Sequence, residues 1–346
     1  MVHISLQHKT VLVTGAAGFI GSHLCRRLLD ACADLRIVGI DNLNSYYDIS
    51  LKEERLSALS AYGSRFEFVK GDIADAACVH ALFEQHRCAL VVNLAAQAGV
   101  RYSIENPAAY IQANIVGFFN ILEACRHHPV EHLVFASSSS VYGSNKTVPY
   151  STDDKVDNPV SLYAATKKSD ELLAHAYAKL YGIPATGLRF FTVYGPQGRP
   201  DMAYFKFAEM LTRGETIPIY NNGDMYRDFT YIDDIVTGIA AVMQHSPTPT
   251  ADGAPYKIYN IGNSAPESLL TFVETLERCL IAEGLISEAG KKKFLPMQPG
   301  DVYQTYADVG ELERDFGFRP QTPLADGLAK FAAWYKGYHA HKEVAR

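Results

Sequence analysis

Two side chains that can move a proton together stand four residues apart, in Tyr163-Ala-Ala-Thr-Lys167. On a helix, this spacing puts the phenol and the ammonium on one face, where the positive charge favours the phenolate. Such a pair arises by chance in many helices, but Ser137-Ser-Ser-Ser140 adds hydroxyls directly after a predicted strand. Because ligands bind at the carboxyl ends of parallel strands, these residues predict acid–base chemistry on an alcohol or a carbonyl. The alternative for most of the serines is that they cap a turn.

A glycine-rich turn follows the first apolar run, in Thr14-Gly15-Ala16-Ala17-Gly18-Phe19-Ile20-Gly21. Glycine lets the backbone turn sharply and approach a diphosphate closely, and the N-terminus of the next helix offers free N–H groups to an anion. The spacing G-x-x-G-x-x-G departs from the dinucleotide fingerprint G-x-G-x-x-G, and no P-loop ending follows. The turn predicts a dinucleotide site, with a purely structural turn as the alternative.

Acidic residues after the next two predicted strands fit the adenosine end of a dinucleotide. Asp41 stands about twenty positions after Gly21, where a carboxylate can accept both ribose hydroxyls and repels a 2′-phosphate. Residues 42–44 contain no Arg or Lys, so the sequence favours NAD over NADP. Asp72 and Ile73 follow the third strand, where the acid meets the adenine amino group or else caps a helix.

Short β-branched runs alternate with longer helical stretches as far as about residue 190. This pattern predicts an α/β fold with a Rossmann-like, doubly wound parallel sheet. The predicted strands are Val11–Val13, Arg36–Ile40, Phe66–Val69, Leu90–Val92, His132–Phe135 and Thr186–Phe190. The predicted helices are Ile20–Cys32, Ala76–His86, Asn106–His127 and Leu162–Tyr181.

The alternation breaks down after Gly195, where proline and glycine become frequent. We therefore predict a dinucleotide-binding domain over residues 1–190 and a smaller, mainly C-terminal α/β substrate lobe over residues 191–346. One strand–helix unit, Phe229–Val242, is predicted to return to the large sheet, so that a segment of about 229–245 rejoins the first domain.

The composition favours a small-molecule partner. A net charge of -6, from 38 acidic and 32 basic residues, leaves no basic field for nucleic acid or an anionic membrane. No uncharged apolar run is long enough for a membrane helix. The 6 cysteines show no metal-ligand spacing, so we expect no metal and a reducing compartment. Because Met1–Thr10 lacks the apolar run of a signal peptide, we expect a cytoplasmic protein.

The chain resembles the extended short-chain dehydrogenase/reductase family over nearly its whole length. The residues that carry this resemblance are Gly15, Gly18, Gly21, Asp41, Asn114, Ser138, Tyr163 and Lys167. Longer phrases are similar to the UDP-glucuronate 4-epimerase branch of that family. They are Asp41-Asn-Leu-Asn-Ser-Tyr-Tyr47, Ala95-Ala-Gln-Ala-Gly-Val-Arg101, Arg189-Phe-Phe-Thr-Val-Tyr-Gly-Pro196 with Arg199-Pro-Asp-Met202, and Arg227-Asp-Phe-Thr-Tyr-Ile-Asp-Asp234.

The resemblance implies a site residue by residue. Catalysis is assigned to Tyr163, Lys167 and Ser138, while Asn114 braces the active-site helix. The residues implied to bind NAD are Gly15, Ala17, Gly18, Phe19, Ile20, Gly21, Asp41, Asn42, Asn44, Asp72, Ile73, Leu94, Ala95, Ala96, Asn114, Ser137, Tyr163, Lys167 and Phe190. The residues implied to bind a UDP-sugar are Arg101, Ser138, Ser139, Thr192, Arg199, Pro218, Tyr220 and Arg227.

The implied reaction inverts C4 of the sugar through a 4-keto intermediate. Tyr163, as phenolate, would take the proton of the 4-hydroxyl while the C4 hydride passes to NAD, and Ser138 would hydrogen-bond the same oxygen. Dehydratases of the family place an Asp-Glu pair after the position of Ser138, and decarboxylases place a Glu there. Ser139 and Ser140 stand in this chain instead. Without an acid to carry a second proton, return of the hydride is favoured.

A 4-ketouronate loses CO2 unless its carboxylate is held still. Arg199 and Thr192 are the candidates to hold it, with Arg101 as a third, because a guanidinium can grip a carboxylate through two hydrogen bonds. The alternative for Arg199 is a surface arginine in a loop rich in proline and glycine.

The rest of the substrate would be held further along the chain. The resemblance places Arg227 at the UDP diphosphate, the alternative being an ion pair with one of the neighbouring aspartates, Asp228 or Asp233. It places Pro218–Tyr220 at the uracil, although Tyr220 could equally belong to the core. Gln298 stands where family members often have a second diphosphate arginine.

Other functions remain open on the same scaffold. They are a UDP-glucose or UDP-N-acetylglucosamine 4-epimerase, a UDP-glucuronate decarboxylase, and a non-catalytic dinucleotide sensor, which would not need Ser138, Tyr163 and Lys167 together. The family also implies a homodimer, formed by a four-helix bundle from residues of about 105–127 and 162–181 of each subunit.

Overall fold

The computed structural model describes residues 1–298 and 301–344. Its strands are β1 (Val2–His3), β2 (Thr10–Thr14), β3 (Arg36–Asp41), β4 (Phe66–Lys70), β5 (Leu90–Asn93), β6 (His132–Ser138), β7 (Ala185–Phe190), β8 (Thr192–Tyr194), β9 (Ile217–Ile219), β10 (Tyr226–Tyr231), β11 (His245–Ser246), β12 (Tyr256–Ile261), β13 (Pro266–Ser268) and β14 (Lys292–Phe294). Its α-helices are α1 (Phe19–Ala31), α2 (Ser50–Ser60), α3 (Ala76–His86), α4 (Tyr102–Glu105), α5 (Pro107–Tyr110), α6 (Gly117–His127), α7 (Leu162–Tyr181), α8 (Ala203–Thr212), α9 (Ile232–Met243), α10 (Leu269–Ala282), α11 (Gly310–Phe316) and α12 (Leu324–Val344).

The largest sheet has seven parallel strands in the order β12-β7-β6-β5-β2-β3-β4. Its strand order changes direction between β2 and β5, which is the point where doubly wound sheets bind ligands. Successive buried residues of β2 serve opposite faces: Val11 and Val13 pack with α1 and α9, and Leu12 packs with α3 and α6. The predicted α/β fold with a doubly wound parallel sheet is confirmed.

The sequence predicted six strands of this sheet and missed the seventh, β12. This strand, Tyr256-Lys-Ile-Tyr-Asn-Ile261, lies at the edge and pairs with β7. Its first half is only partly buried, so it needs no continuous apolar run of the kind that marks the inner strands.

The predicted return of Phe229–Val242 to the large sheet is wrong for its strand. β10 pairs in parallel with β8 and antiparallel with β13, in a separate three-stranded sheet. The chain leaves the large sheet after Phe190 and forms β8 at once, which gives β10 a parallel partner there. Only α9 returns, because its apolar face packs against α1 and β6. The limits 1–190 and 191–346 stay predictions.

The single helix predicted over Asn106–His127 is interrupted. α5 ends at Tyr110, and a π-helical turn spans Ile111–Val116 before α6 begins at Gly117. Such turns widen a helix and often lie at functional sites. Asn114 belongs to this turn and is buried.

Aromatic side chains join the helices of the C-terminal part of the chain. Phe205 of α8 contacts Phe331, Trp334 and Tyr335 of α12, with ring centroids 5.9, 5.9 and 5.6 Å away. α10 packs against both α8 and α12. Among the described residues, no helix combines the length and apolarity that crossing a membrane requires.

Asp228 of β10 accepts hydrogen bonds from two segments that are distant from it in sequence. Its Oδ1 accepts a hydrogen bond from the Asn263 amide (2.7 Å), and its Oδ2 accepts from the amides of Ser264 (3.1 Å) and Ala307 (3.0 Å). The side chain is fully buried, and burial raises the pKa of its carboxyl to about 6 against the opposing effect of these amides. Three segments distant in sequence therefore meet on one carboxyl group, next to Arg227.

We expect Asp228→Asn to lower the free energy of unfolding by about 1–3 kcal/mol, because the new amide group would face at least one of the three N–H donors. The loss should also depend on pH. Folded Asp228 keeps its proton up to about pH 6, whereas the unfolded carboxyl loses it near pH ~4. The contribution of this carboxyl is therefore fully present below pH ~4 and falls as the pH rises to about 6.

Urea unfolding of both proteins at about pH 4.5 and about pH 6.5, near the two ends of this pH range, would measure the difference in stability. The gap between wild type and variant should be larger at the lower pH. A gap that stays constant across the two conditions would contradict the assignment.

Candidate active site

A cavity of about 460 Å³ lies at the carboxyl edge of the large sheet, where residues after several of its strands meet residues 192–227 and 301–305. Most of the predicted site residues line it. They are Gly15, Gly18, Phe19, Ile20, Gly21, Asp41, Asn42, Asn44, Asp72, Ile73, Leu94, Ala95, Ala96, Ser137, Ser138, Ser139, Tyr163, Lys167, Phe190, Thr192, Arg199 and Arg227. Ala17, Asn114, Arg101, Pro218 and Tyr220 are not among the lining residues.

The glycine-rich turn has no space for side chains. A Cβ atom on Gly21 would lie 2.1 Å from the Gly15 carbonyl oxygen, and one on Gly18 would lie 2.9 Å from the same atom. Gly15 itself has φ +68° and lies against the backbone of Ala95. No side chain caps the N-terminus of α1, and its first turn has no acidic residue. The turn therefore brings a helix N-terminus, free of competing anions, to the cavity.

The adenosine end contains a cation that the sequence did not reveal. Lys52 of α2 lies with its Nζ 3.7 Å from Asp41 Oδ1, and it also donates to the carbonyl oxygen (3.1 Å) and Oδ1 (3.2 Å) of Asn44. The sequence argument for NAD considered residues 42–44 alone, and Lys52 comes near Asp41 because α2 folds back over the end of β3. Burial lowers the pKa of Lys52, and Asp41 opposes that shift.

Asp72 does not cap a helix. Its Oδ2 accepts a hydrogen bond from Asn42 Nδ2 (2.9 Å), and its Oδ1 accepts from the Ala74 amide (2.8 Å). The N-cap of α3 is Asp75, which accepts from the amides of Ala77 and Cys78. The capping alternative for Asp72 is therefore wrong, and Asp72 lines the cavity beside Asn42.

Tyr163 and Lys167 both face the cavity from the first turns of α7. The Lys167 ammonium is buried and donates to the Ala136 carbonyl oxygen (2.9 Å) and to Asp170 Oδ2 (3.1 Å). The Tyr163 ring meets the ring of Tyr110 edge to face, with centroids 6.1 Å apart. The predicted i, i+4 pair is thus on one face of one helix.

Asp170 is the acidic partner of Lys167 and was missed by the sequence analysis. Its other oxygen, Oδ1, is buried without a hydrogen-bond partner. Burial raises the pKa of this carboxyl to about 7, while Lys167 opposes the shift. A neutral Asp170 leaves the charge of Lys167 available to Tyr163, whereas an ionised one offsets it.

Asn114 lies behind the cavity, one layer away from it. Its Nδ2 donates to the Gln97 carbonyl oxygen (3.1 Å) and to Thr166 Oγ1 (2.9 Å), and its Oδ1 accepts from the Gln97 amide (2.8 Å). Thr166 directly precedes Lys167. Asn114 therefore links α7 to the loop after β5, in keeping with a bracing role, and it does not itself reach the cavity.

The serine run divides into different roles. Ser137 Oγ donates to Glu171 Oε1 (2.7 Å), inside a buried network with Arg189. Ser138 Oγ accepts from the Ser140 amide (3.1 Å) and so caps a short helical turn. Capping uses one lone pair, which leaves the Ser138 hydroxyl proton to donate into the cavity that it lines.

Arg199 lines the cavity and is not a free surface arginine, since only 22% of its side chain is exposed. Its Nε and one terminal nitrogen donate to the two oxygens of Asp201, at 2.9 and 2.5 Å. Tyr46, which also lines the cavity, donates to Asp201 Oδ2 (3.2 Å). Burial favours the neutral form of Asp201, but Arg199 and Tyr46 overcome it and lower the pKa of this carboxyl.

Arg227 makes no bond to either neighbouring aspartate. One terminal nitrogen donates to the carbonyl oxygens of Tyr226 (2.8 Å) and Tyr303 (3.2 Å). Asp228 is occupied by three amides, as described above, so the ion-pair alternative for Arg227 is wrong. Burial lowers the pKa of Arg227, while the charge of Asp301 opposes that change. An anionic ligand in the cavity would balance the charge of this partly buried cation.

The structure does not bring Arg101 to Thr192 and Arg199. Its guanidinium lies at the surface, 3.3 Å from Asp301 Oδ2 and 5.0 Å from the centre of the Tyr220 ring. Tyr220 is partly buried at the end of β9, and Pro218 pairs with Lys293 of β14. Gln298 precedes two residues, Pro299 and Gly300, that lie outside the described part of the chain.

Sequence reasoning missed two residues that line the cavity, Tyr46 and Lys52, and three that bond to lining residues from outside it, Arg55, Asp170 and Asp201. Tyr46 and Asp201 stand inside phrases that were singled out, so their proximity to Arg199 was the missing information. In the part of the chain that the structure describes, no group of three or more His, Cys, Asp or Glu residues could hold a metal ion.

The chain matches a family model described as the NAD dependent epimerase/dehydratase family over residues 11–262. It is 46% identical to UDP-glucuronate 4-epimerase 1 of Arabidopsis thaliana, over 97% of this chain and 79% of the relative. Its structure resembles the UDP-glucuronic acid 4-epimerase of Bacillus cereus, solved with UDP-glucuronic acid and NAD, at a TM-score of 0.84 and 35% identity, covering 95% of this chain and 99% of that one. The UDP-glucose 4-epimerase of Thermotoga maritima, solved with UDP-glucose, gives a TM-score of 0.82 at 28% identity, covering 95% and 99%.

We expect Gly21→Ala to bind NAD at least about tenfold more weakly, equal to about 1.4 kcal/mol. The added methyl group would meet the Gly15 carbonyl oxygen at 2.1 Å, so the turn must open. NAD released from the heat-denatured protein, and NAD titration of the emptied protein, both measure the loss. Gly337→Ala is the control, since a Cβ there meets nothing within 4 Å. Equal NAD content in the two variants would contradict the prediction.

Proposed function

The chain belongs to the NAD dependent epimerase/dehydratase family, and we propose that it interconverts UDP-glucuronate and UDP-galacturonate by inverting C4 of the sugar. The observation that carries the proposal is the position of Arg199. Its guanidinium lines the same cavity as Tyr163, Lys167 and Ser138. The site thus offers a carboxylate-binding cation beside the groups that handle the sugar alcohol.

NAD fits the residues at the first half of the cavity. The glycine turn and the N-terminus of α1 suit its diphosphate, and Asp41 suits the adenosine ribose. When bound, NAD would supply the hydride-accepting and hydride-donating group that the reaction at C4 needs. The positive charge of Lys52 would partly offset the repulsion between Asp41 and a 2′-phosphate. The Asp41 carboxylate is still the group assigned to the ribose hydroxyls.

Tyr163 is the proposed acid and base. Its phenolate would take the proton of the sugar 4-hydroxyl and later return it, with Ser138 donating a hydrogen bond to the same oxygen. Lys167, held by Asp170 and Ala136, supplies the positive charge that favours the phenolate. Lys167 also lies on the cavity wall, where it would hold the nicotinamide ribose.

The sugar carboxylate is assigned to Arg199 and Thr192. Asp201 occupies one edge of the guanidinium, so the substrate would use the remaining N–H donors. A carboxylate held in this way is prevented from turning into the geometry in which a 4-ketouronate loses CO2. Ser139 and Ser140 carry no acid, so elimination has no proton carrier next to Ser138.

Arg227 is assigned to the UDP diphosphate. It lines the cavity, and its partners are two carbonyl oxygens, so its charge is free to meet a phosphate. Pro218 and Tyr220 are not among the lining residues. We keep the uracil assignment for them because Arg101 lies over the Tyr220 ring and pairs with Asp301, which does line the cavity.

We expect the purified protein, incubated with UDP-glucuronate, to form UDP-galacturonate as the main product, because the hydride can return to either face of a bound keto sugar. Proton NMR of the anomeric and H4 signals would measure it. Formation of UDP-xylose would point to a decarboxylase. Turnover of UDP-glucose, with none of UDP-glucuronate, would point to an epimerase of neutral sugars, and either result would overturn the proposal.

Tyr163→Phe serves as the matched control for this assay. It removes one oxygen and should lower the rate at least ~100-fold, the usual contribution of a positioned acid–base group. Tyr181→Phe, at the far end of the same helix, should retain the wild-type rate.

We propose further that the protein is a cytoplasmic homodimer. Apolar side chains stand exposed on the helices that the family would use for a four-helix bundle: Ile111 (41%), Phe119 (43%), Leu172 (59%) and Leu180 (70%). Contact with a second copy would remove these side chains from water. The cytoplasmic location is supported by the cysteines, which are all free.

We expect Leu172→Glu to convert the dimer to a monomer at micromolar concentration, because an unpaired charge at the centre of an apolar interface is strongly unfavourable. Light scattering coupled to size-exclusion chromatography would measure the mass. Ile281→Glu on α10 is the control, since Ile281 is also exposed (39%) but lies outside the bundle helices. A wild-type protein that elutes as a monomer, or a variant that remains a dimer, would overturn the bundle assignment.

A further inference from the structure

Arg55 of α2 is a buried cation that has no carboxylate partner in the described part of the chain. Its side chain is 1% exposed, and its charge is met by carbonyl oxygens and one hydroxyl. One terminal nitrogen donates to the Ala17 carbonyl oxygen (2.9 Å) and to the Tyr47 hydroxyl (2.8 Å). The other donates to the carbonyl oxygens of Gln197 (2.6 Å) and Gly198 (3.1 Å). The Nε atom is buried without a partner.

These acceptors belong to the two halves of the site. Ala17 lies inside the glycine-rich turn, whereas Gln197 and Gly198 directly precede Arg199. The fork of one guanidinium therefore joins the cofactor turn to the loop that carries the proposed carboxylate ligand. A guanidinium is suited to this, because its two terminal nitrogens point in fixed, separate directions.

The loop that Arg55 holds is not in a conformation that it would adopt alone. Gln197 has φ +54°, in the left-handed region that residues other than glycine rarely occupy. The Gln197 carbonyl oxygen makes the shortest of the Arg55 contacts. Glu54, the neighbour of Arg55, accepts a further bond from the Gln197 side chain (3.2 Å). Glu54 and Arg55, in the middle of α2, thus supply the contacts that keep this backbone in place.

The segment before α2 holds the same loop from its other end. Tyr47 accepts from Arg55, and its neighbour Tyr46 donates to Asp201, which in turn binds Arg199. Lys52, one turn before Arg55, reaches Asp41. Residues 46–55, which we term the α2 clamp, therefore contact the adenosine end, the glycine turn and the sugar-carboxylate loop.

We propose that Arg55 is a positioning residue that holds the Arg199 loop against the glycine turn, so that recognition of the sugar carboxylate and retention of the cofactor depend on the same buried cation. The proposal rests on the function proposed above for Arg199. Arg55 does not line the cavity, so it acts through Gln197 and Gly198 and does not touch a ligand.

The test compares Arg55→Lys with a matched control, Arg65→Lys. Arg65 also donates from one terminal nitrogen to two carbonyl oxygens, those of Leu29 and Cys32, but it lies away from the site. A lysine keeps the charge at position 55, but its single nitrogen can reach either the glycine turn or the Gln197–Gly198 carbonyl oxygens and not both. Both variants are made in the Tyr163→Phe background with NAD in excess, so that turnover is slowed at least ~100-fold during the binding measurement.

Calorimetric titration with UDP-glucuronate and with UDP separates the contribution of the glucuronate group to binding from that of the nucleotide. For Arg55→Lys we expect UDP-glucuronate to bind about tenfold more weakly, a difference of ~1.4 kcal/mol, while UDP binds within about twofold of its reference value. NAD carried through purification should also fall. Arg65→Lys should change none of these values. A role in folding alone would weaken both ligands equally.

The outcomes decide between the two proposals separately. Equal weakening of UDP-glucuronate and UDP, or no change in either, overturns the positioning role of Arg55. Selective weakening with wild-type NAD content overturns its link to the cofactor turn. Should Arg55→Lys fail to fold, Tyr47→Phe, which removes one acceptor of Arg55, must show the same selectivity to a smaller degree. The function proposal fails only if the protein with Tyr163 intact does not epimerise UDP-glucuronate.

Discussion

The full or partial burial of positive charge around one cavity is the constraint on which the rest of this structure depends. Lys167, Arg199 and Arg227 line the cavity, and Arg55 lies directly behind it, in a chain whose net charge is -6. A buried cation is unfavourable unless oxygen atoms surround it. Each of these four is held by carbonyl oxygens, hydroxyls or carboxylates of the protein. The loops that provide those oxygens are thereby fixed around a space suited to anionic ligands.

The doubly wound sheet makes this arrangement possible, because its parallel strands end at one edge. β3 delivers Asp41, β6 delivers Ser138, and the turn after β2 delivers the glycines. Such features are local in sequence: an apolar run, then a polar or glycine residue. The sequence therefore predicted the fold class, the glycine turn and the Tyr163–Lys167 face of α7.

What the sequence could not predict are contacts between segments far apart in the chain. Lys52 reaches Asp41 only because α2 folds back over β3, and Arg55 meets Gln197 across 142 positions. β10 was placed in the wrong sheet for a related reason, since its partner β8 is only three residues long and carries little pattern of its own. The seventh strand of the large sheet, β12, was missed because an edge strand needs no unbroken apolar run.

Two buried carboxylates at the site have opposite effects on their cations. Burial raises the pKa of Asp170 to about 7, so near neutral pH part of this group is uncharged and Lys167 keeps its influence on Tyr163. The pKa of Asp201 is lowered, because the charge of Arg199 and the hydrogen bonds from Arg199 and Tyr46 together outweigh burial. Asp201 therefore stays ionised and balances Arg199 before a substrate enters. Asp170 is more deeply buried, and one of its oxygens has no donor, whereas both oxygens of Asp201 accept at least one hydrogen bond. A sugar carboxylate consequently meets a guanidinium whose direction is already fixed but whose charge is shared, an arrangement that favours orientation of the acid group over tight binding.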